Sequence, residues 1–172
     1  MFKQITPVII VVVSLSLFAM LPPIDFSSTR SEDSIALGIG NNTFSCHFNG
    51  EKWTDSKSVQ AELGFENGYL YLVLWLGNEY NERVYFVTKT DQLRTGTYEL
   101  DEPGSKYMAI QRHADQCDFV TDAYYGGRLM IHTYDPVRNI VAGTFECLAF
   151  SESCNEVIRV TDGKFDVTYR MH

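Results

Sequence analysis

Hydrophobic and polar residues alternate along most of the chain from Phe44 onward. In the first such segment, Phe44, Cys46 and Phe48 are separated by small or polar residues, and the pair Asn49-Gly50 follows. A period of two places successive side chains on opposite faces of a strand. Asn-Gly is a frequent pair in tight hairpin turns. The pattern therefore predicts a strand that ends in a turn.

The same alternation predicts further strands as far as the C-terminus. They cover residues 52–55, 58–65, 69–76, 83–89, 106–112, 128–134, 139–150 and 156–161, with a turn at Asp162-Gly163 leading into a last strand at 164–170. Residues 113–125 are less regular and are predicted to form a loop. The sequence thus predicts a single antiparallel all-β domain of about ten strands, for which a β-sandwich is favoured and a closed β-barrel is the alternative.

Residues 69–76 carry apolar or aromatic side chains at both the even and the odd positions. Four leucines, at positions 70, 72, 74 and 76, alternate with Tyr69, Tyr71, Val73 and Trp75. A strand that is apolar on both faces is typical of a central or covered position in a sheet. The same pattern would also suit a strand that lines a ligand cavity.

The N-terminal segment has the pattern of an export signal. Lys3 precedes an apolar run at 7–20, and Leu21-Pro22-Pro23 ends it. A basic start and a short apolar stretch are typical of a secretory signal. We therefore predict a signal peptide or an uncleaved N-terminal anchor at 1–23, a flexible tether at 24–42 and the all-β domain at 43–172. The protein is expected in the periplasm, on the cell surface or in the secreted fraction.

The chain is acidic, with 14 Lys and Arg residues, 22 Asp and Glu residues and a formal net charge of −8. Lys3 is the only charged residue of the first 23, so the remaining chain carries −9. Nucleic acids and anionic lipids need clustered basic residues, and this sequence has no such cluster. We therefore expect no nucleic acid partner, and membrane contact only through the N-terminal segment.

Four cysteines, at positions 46, 117, 147 and 154, permit two disulfides in an exported protein. Three pairings are possible. Cys147 and Cys154 flank a turn-like segment, so a local bridge across a hairpin is favoured, which leaves Cys46 with Cys117. No close cysteine pair indicates a zinc site.

Several short motifs resemble a known family. They are Asn-Gly-Glu-Lys-Trp at 49–53, Gly-Thr-Phe-Glu at 143–146 and Asp-Gly-Lys-Phe-Asp-Val at 162–167. These motifs are similar to those of a Bacteroidota family of small exported proteins and lipoproteins of unknown function. The resemblance implies an exported β domain and assigns no activity. Many members carry a lipid-modified cysteine that is absent here, and Cys147 stands where the family has an apolar residue.

Acidic residues supply the candidates for metal binding and hydrolysis. Asp115, Asp118 and Asp122 could bind calcium, but they lack the alternate spacing and the bidentate glutamate of a calcium loop. A hydrolytic pair could be chosen from Glu99, Asp135 and Glu146. No catalytic motif marks any of these residues, so we predict no catalytic residue, no metal and no cofactor. Asp166 and His132 are expected to be ordinary strand residues, with Asp166 solvated.

Aromatic residues are the strongest indication of a binding surface. Seven of them could form a sugar-stacking face or line a pocket: Tyr69, Tyr71, Trp75, Tyr80, Tyr85, Tyr124 and Tyr125. Tyr124 and Tyr125 precede Gly126-Gly127 in a predicted loop and are the favoured ligand contacts. The sequence favours a non-catalytic binding module for a glycan or an envelope protein. The alternatives are a lipocalin-like carrier of an apolar ligand and a carboxylate-dependent hydrolase.

Overall fold

Eleven β-strands make up the regular structure of the computed structural model, which describes residues 38–56, 59–76, 82–102, 104–112 and 116–172. They are β1 (Thr43–Phe48), β2 (Glu51–Ser56), β3 (Gln60–Glu66), β4 (Tyr69–Trp75), β5 (Arg83–Thr88), β6 (Gly96–Glu99), β7 (Tyr107–Arg112), β8 (Cys117–Val120), β9 (Gly127–Asp135), β10 (Ile140–Ser151) and β11 (Glu156–Met171). The all-β prediction is confirmed. The short strand β8 lies in the segment that was predicted to be a loop.

Hydrogen bonds connect the eleven strands into one sheet, in the order β2-β1-β11-β3-β4-β5-β7-β8-β10-β9-β6, with an additional pairing of β11 with β10. The pairing of β11 with β3 is parallel, and the other strand pairings in the described residues are antiparallel. The sheet is therefore mostly antiparallel, as predicted, with this one parallel pair. The sheet is mixed because β11 is long enough to pair with β1, β10 and β3.

The core lies between distant parts of this sheet. The ring of Phe86 on β5 lies 5.2 Å from that of Phe145 on β10 and 5.8 Å from that of Phe165 on β11. Phe44 on β1 stacks on Phe145 at 5.5 Å. Strands that are far apart in the sheet order thus pack face to face, and aromatic rings occupy the space between them. The four leucines of residues 70–76 belong to the same buried cluster.

One continuous strand replaces the predicted turn at Asp162-Gly163. Val160 is in register with Cys147 and Gly163 with Phe145, so β11 carries one extra residue at this point. Asp162 takes a φ of 53°, and a Cβ on Gly163 would lie 2.5 Å from the carbonyl oxygen of Phe145. Asp-Gly at this position therefore forms a β-bulge against β10, not a hairpin.

The disulfide pairing also differs from the prediction. Cys117 is bonded to Cys154, with Cα atoms 5.8 Å apart, and Cys46 and Cys147 are free and buried. Cys147 points into the core from β10, whereas Cys154 lies in the turn beyond that strand. Cys46 on β1 and Cys147 on β10 lie on strands that pair with opposite sides of the same part of β11. Two strand spacings separate their backbones by about 10 Å, which is too far for a disulfide. The Cys117–Cys154 bond indicates a non-reducing environment.

Asp166 is buried rather than solvated. Its carboxylate accepts hydrogen bonds from the backbone N–H groups of Ile39 and Gly40. These two donors lie in the segment that was predicted to be a tether at 24–42, of which the structure describes residues 38–42 only. The predicted signal segment at 1–23 lies outside the described residues.

Candidate functional site

Aromatic side chains cover the outer face of the sheet on β4 and its neighbours. Residues that are paired across strands point to the same side, and on β4 the side facing away from the core carries Tyr69, Tyr71, Val73 and Trp75. Each of these side chains is half-buried. The outer face of a sheet with one packed side is usually polar. An aromatic outer face of this kind indicates an interaction surface.

A cleft of about 550 Å³ opens on this outer face, and we call it the tyrosine cleft. It is lined by Glu62, Gly64, Phe65, Glu66, Tyr71, Val73, Trp75, Tyr85 and His172. Gly64 is in register with Tyr71, and the absence of a side chain there leaves a notch beside that ring. The alternation of residues 69–76 was the sequence signal for this site, whereas the contribution of Gly64 depends on pairing and was missed.

Polar groups are arranged in a chain along one side of the tyrosine cleft. The guanidinium of Arg83 lies 3.7 Å from the centre of the Trp75 ring. Its Nη1 donates to the hydroxyl of Tyr85 at 3.3 Å, and that hydroxyl donates to Oε1 of Gln111 at 3.0 Å. Nε1 of Trp75 and Nε of Arg83 are enclosed and have no hydrogen-bond partner among the described residues. The cleft therefore offers aromatic surface, while these two enclosed N–H groups are shielded from solvent.

Tyr107 extends this aromatic surface onto β7. Burial raises the pKa of its hydroxyl, and the neighbouring Tyr71 and Tyr85 raise that pKa further. The Tyr107 hydroxyl thus lies close to Tyr71 and Tyr85, and it stays protonated at neutral pH. Protonated hydroxyls can both donate and accept hydrogen bonds.

A second cleft, of about 780 Å³, lies beside the disulfide, and we call it the disulfide cleft. It is lined by Asp118, Val120, Thr121, Asp122, Phe150, Glu152 and Ser153. Cys117 and Cys154 are the chain neighbours of Asp118 and Ser153, which line it. The disulfide therefore ties β8 to the turn between β10 and β11 at the edge of this cleft.

Tyr124 and Tyr125, the predicted ligand contacts, lie next to the disulfide cleft. Tyr124 is 89% exposed, and Tyr125 stacks on Phe150 with ring centres 5.5 Å apart. Oδ1 of Asp122 accepts hydrogen bonds from the backbone N–H groups of Tyr124 at 2.6 Å and Tyr125 at 2.8 Å. The loop is thus fixed by its own hydrogen bonds and holds one aromatic ring in solvent.

The weak calcium candidates are not brought together into a visible site. Asp122 accepts backbone hydrogen bonds from Tyr124 and Tyr125, Asp118 is an exposed residue of β8, and Asp115 lies outside the described residues. Among the residues that the structure describes, no group of three or more His, Cys, Asp or Glu side chains has an arrangement suited to a metal ion. Tyr80, from the predicted aromatic set, also lies outside the described residues.

Asp135 and Glu146, two of the three carboxylates considered for hydrolysis, lie apart, and each is paired with an arginine. Asp135 accepts from Nε of Arg138 at 2.6 Å, and Glu146 accepts from Nη2 of Arg128 at 2.7 Å. Asp135 is in register with Ile140, six residues before Glu146 on β10, which is about 20 Å along the strand. Paired glycosidase carboxylates lie within about 10 Å of one another. These two residues therefore do not form such a pair.

His132 and Glu99, the other predicted polar residues, are both strand residues. Nε2 of His132 lies 2.9 Å from Oγ1 of Thr144, which agrees with the expected role of His132 as a strand residue with an ordinary hydrogen bond. Glu99 is in register with Arg128 on the neighbouring strand β9.

No family model, curated protein or solved structure matches this chain. The resemblance to the Bacteroidota family therefore stays a prediction from its motifs. In the described part of the chain, there is no helix with the length and apolar composition needed to cross a membrane.

Proposed function

We propose that this protein is a non-catalytic binding module of the extracytoplasmic space, and that its ligand binds on the outer face of the sheet at the tyrosine cleft. The observation that carries this proposal is the set of Tyr71, Val73, Trp75 and Tyr85 around a cleft of about 550 Å³ on a face that is normally polar. Pockets with apolar and aromatic walls and a few polar groups are the usual form of a ligand site.

Two observations support the location. The apolar segment that follows Lys3 has the pattern of an export signal. The Cys117–Cys154 disulfide is a bond that persists in oxidising compartments. Both features are expected in a protein that binds its ligand in the periplasm, at the cell surface or outside the cell.

The proposal can be tested with the full-length chain on an array of glycans, envelope extracts, lipids and peptides. We expect a ligand from this array to bind the wild-type protein and to bind Tyr71→Ala at least tenfold more weakly, because the substitution removes the ring opposite Gly64.

Val137→Ala is the matched control. Val137 is 90% exposed in the turn between β9 and β10, at the opposite end of β10 from Phe150, so its truncation should leave binding unchanged. Ligand binding that is equally strong in wild type and Tyr71→Ala would refute the tyrosine cleft as the site, and turnover of an array component would refute the non-catalytic role.

A further inference from the structure

We infer that the disulfide cleft and the apolar surface beside it form a second interaction surface, and that its partner is a basic peptide segment of another protein. This surface shares no lining residue with the tyrosine cleft. The inference therefore goes beyond the proposed function and does not depend on it.

An apolar row crosses three neighbouring strands at this surface. Val120 on β8 is in register with Phe150 on β10, and Phe150 is in register with Val157 on β11. We call these three residues the apolar row. Each has a core residue next to it in the chain: Phe119, Ala149 and Ile158. Because successive side chains of a strand point to opposite faces, the apolar row points away from the core.

The apolar row is accessible to a partner. Val120 is 36% exposed and Val157 is 40% exposed, and Phe150 lies between them and lines the disulfide cleft. Two strand spacings make the row about 10 Å long. The outward face of a sheet is usually polar, so apolar side chains in register on three strands indicate an interaction surface.

Two tyrosines enlarge the apolar row. The ring of Tyr125 stacks on that of Phe150, and the ring of Tyr124 is almost fully exposed. Both backbone N–H groups donate to Oδ1 of Asp122, which defines the conformation of the loop. A loop that is already ordered loses little conformational entropy when a partner binds. Tyrosine is also one of the residues that contribute most binding energy at protein interfaces.

Carboxylates surround the apolar row on the side of the disulfide cleft. Three of the residues that line this cleft are acidic: Asp118, Asp122 and Glu152. Glu156, the exposed residue before Val157, is a fourth. Within the described parts of the chain, the lining of the disulfide cleft includes no Lys, Arg or His. The charge of the cleft therefore favours a cationic partner.

The basic residues near this surface do not cancel that charge. Arg159 lies on the same side of β11 as Val157 but two residues further along the strand. Arg128 is paired with Glu146, so that pair is neutral as a unit. The surface is thus acidic at the cleft and basic only beyond the far end of the apolar row.

A basic peptide segment matches both the apolar row and its carboxylates. Lys and Arg side chains have an aliphatic stem and a cationic head, so the stem can cover Val120 and Phe150 while the head reaches a carboxylate. An Arg or Lys head can also pack over the exposed ring of Tyr124. An anionic partner would be repelled, and a purely apolar partner would bury the carboxylates without compensation.

The test selects a random peptide library, displayed on phage, against the immobilised full-length chain. We expect enrichment of peptides that carry a net positive charge and combine Lys or Arg with aromatic or aliphatic residues. The most enriched peptide is then synthesised, and its affinity is measured by fluorescence anisotropy. The affinity should fall as the salt concentration rises, because salt screens the attraction between the peptide and the carboxylates.

Two variants at exposed positions locate the peptide without disturbing the core. Tyr124→Ala should weaken binding of the selected peptide about tenfold, because it removes an exposed aromatic contact. Glu152→Lys should weaken it about fivefold and reduce its salt dependence. Val137→Ala is the control for the loss of an exposed apolar side chain. Asp91→Lys makes the same charge change at an exposed loop residue that lines neither cleft, and it should leave the affinity unchanged.

Three outcomes overturn the inference. Selection that enriches no peptide, or that enriches acidic or uncharged peptides, would refute the class of partner. A basic peptide that binds Tyr124→Ala or Glu152→Lys as tightly as wild type would refute the location. A basic peptide that is lost only in Tyr71→Ala would belong to the tyrosine cleft. Dependence on Tyr124 reports on this surface and dependence on Tyr71 on the tyrosine cleft, so each proposal can fail by itself.

Discussion

The backbone N–H of Gly40 donates a hydrogen bond of 2.8 Å to Oδ1 of Asp166, across 126 residues of sequence. The N–H of Ile39 donates to the other oxygen, Oδ2, at 3.2 Å. The side-chain carbonyl of Asn42 accepts from the N–H of Thr168 at 2.8 Å. The segment before β1 is thus tied to β11, and the buried carboxylate of Asp166 is satisfied by backbone donors.

Asp166→Ala should destabilise the fold because it leaves these two N–H groups without their acceptor. We expect the free energy of unfolding to fall by about 1 to 3 kcal/mol, measured by urea denaturation. Asp166→Asn keeps one acceptor oxygen, so its free energy of unfolding should fall by less. Equal stability of all three proteins would contradict the described hydrogen bonds.

The Cys117–Cys154 disulfide should contribute strongly to stability. It closes a loop with a sequence separation of 37 residues, for which the chain-entropy model gives roughly 4 kcal/mol. We expect Cys117→Ser with Cys154→Ser to lower the free energy of unfolding by an amount of that order. Peptide mapping without reduction should recover the segments containing Cys117 and Cys154 as one linked pair. A linked pair containing Cys46 or Cys147 would refute this connectivity.

Cys46 and Cys147 should be unreactive in the folded protein. Burial raises the pKa of both thiols. Cys147 and then Glu82 raise the pKa of Cys46 further, and Glu146 raises that of Cys147, so both thiols stay protonated at neutral pH. Iodoacetamide should label neither thiol in the native state and both in denaturant without reduction. Because their folded pKa values lie above the ordinary value of 9.0, their contribution to stability is complete below that pH and declines as the pH rises above it. Rapid labelling at neutral pH would contradict their burial.

Gly143→Ala should destabilise the domain through a backbone clash. A Cβ at this position would lie 2.5 Å from the carbonyl oxygen of Met130 and 2.9 Å from Cζ of Phe165. Neither neighbour moves easily, because one is backbone and the other is a core ring. We expect a loss of about 1 to 3 kcal/mol in chemical denaturation. Gly64→Ala is the control, since its Cβ meets only an ordinary contact, and it should be neutral or stabilising. Equal stability of Gly143→Ala and wild type would contradict the close approach of the β9 backbone to Gly143.

Most strands could be predicted because side-chain alternation is a local property. The alternation of Tyr71 and Leu72 shows that they lie on opposite faces of one strand, whatever its neighbours are. The sequence could not identify β8, because Cys117–Val120 is only four residues long and follows an irregular segment. It also could not show that Asp162-Gly163 forms a bulge, because a turn and a bulge favour the same residues.

The candidate site was predictable only as a set of aromatic residues. The sequence indicated that Tyr71, Trp75 and Tyr85 could form a binding face, and the structure places them around one cleft. It could not place Tyr107 beside them, because that relationship depends on the register of three strands, β4, β5 and β7.

By itself, the sequence determined the class of fold, the acidic charge and the set of aromatic side chains, since each follows from residue type and local spacing. The tertiary structure alone decided the partner of Cys117, the burial of Asp166 and the position of Tyr107 beside Tyr71 and Tyr85. These depend on which distant strands pair and in which register, and that choice is made by the packing of the whole core.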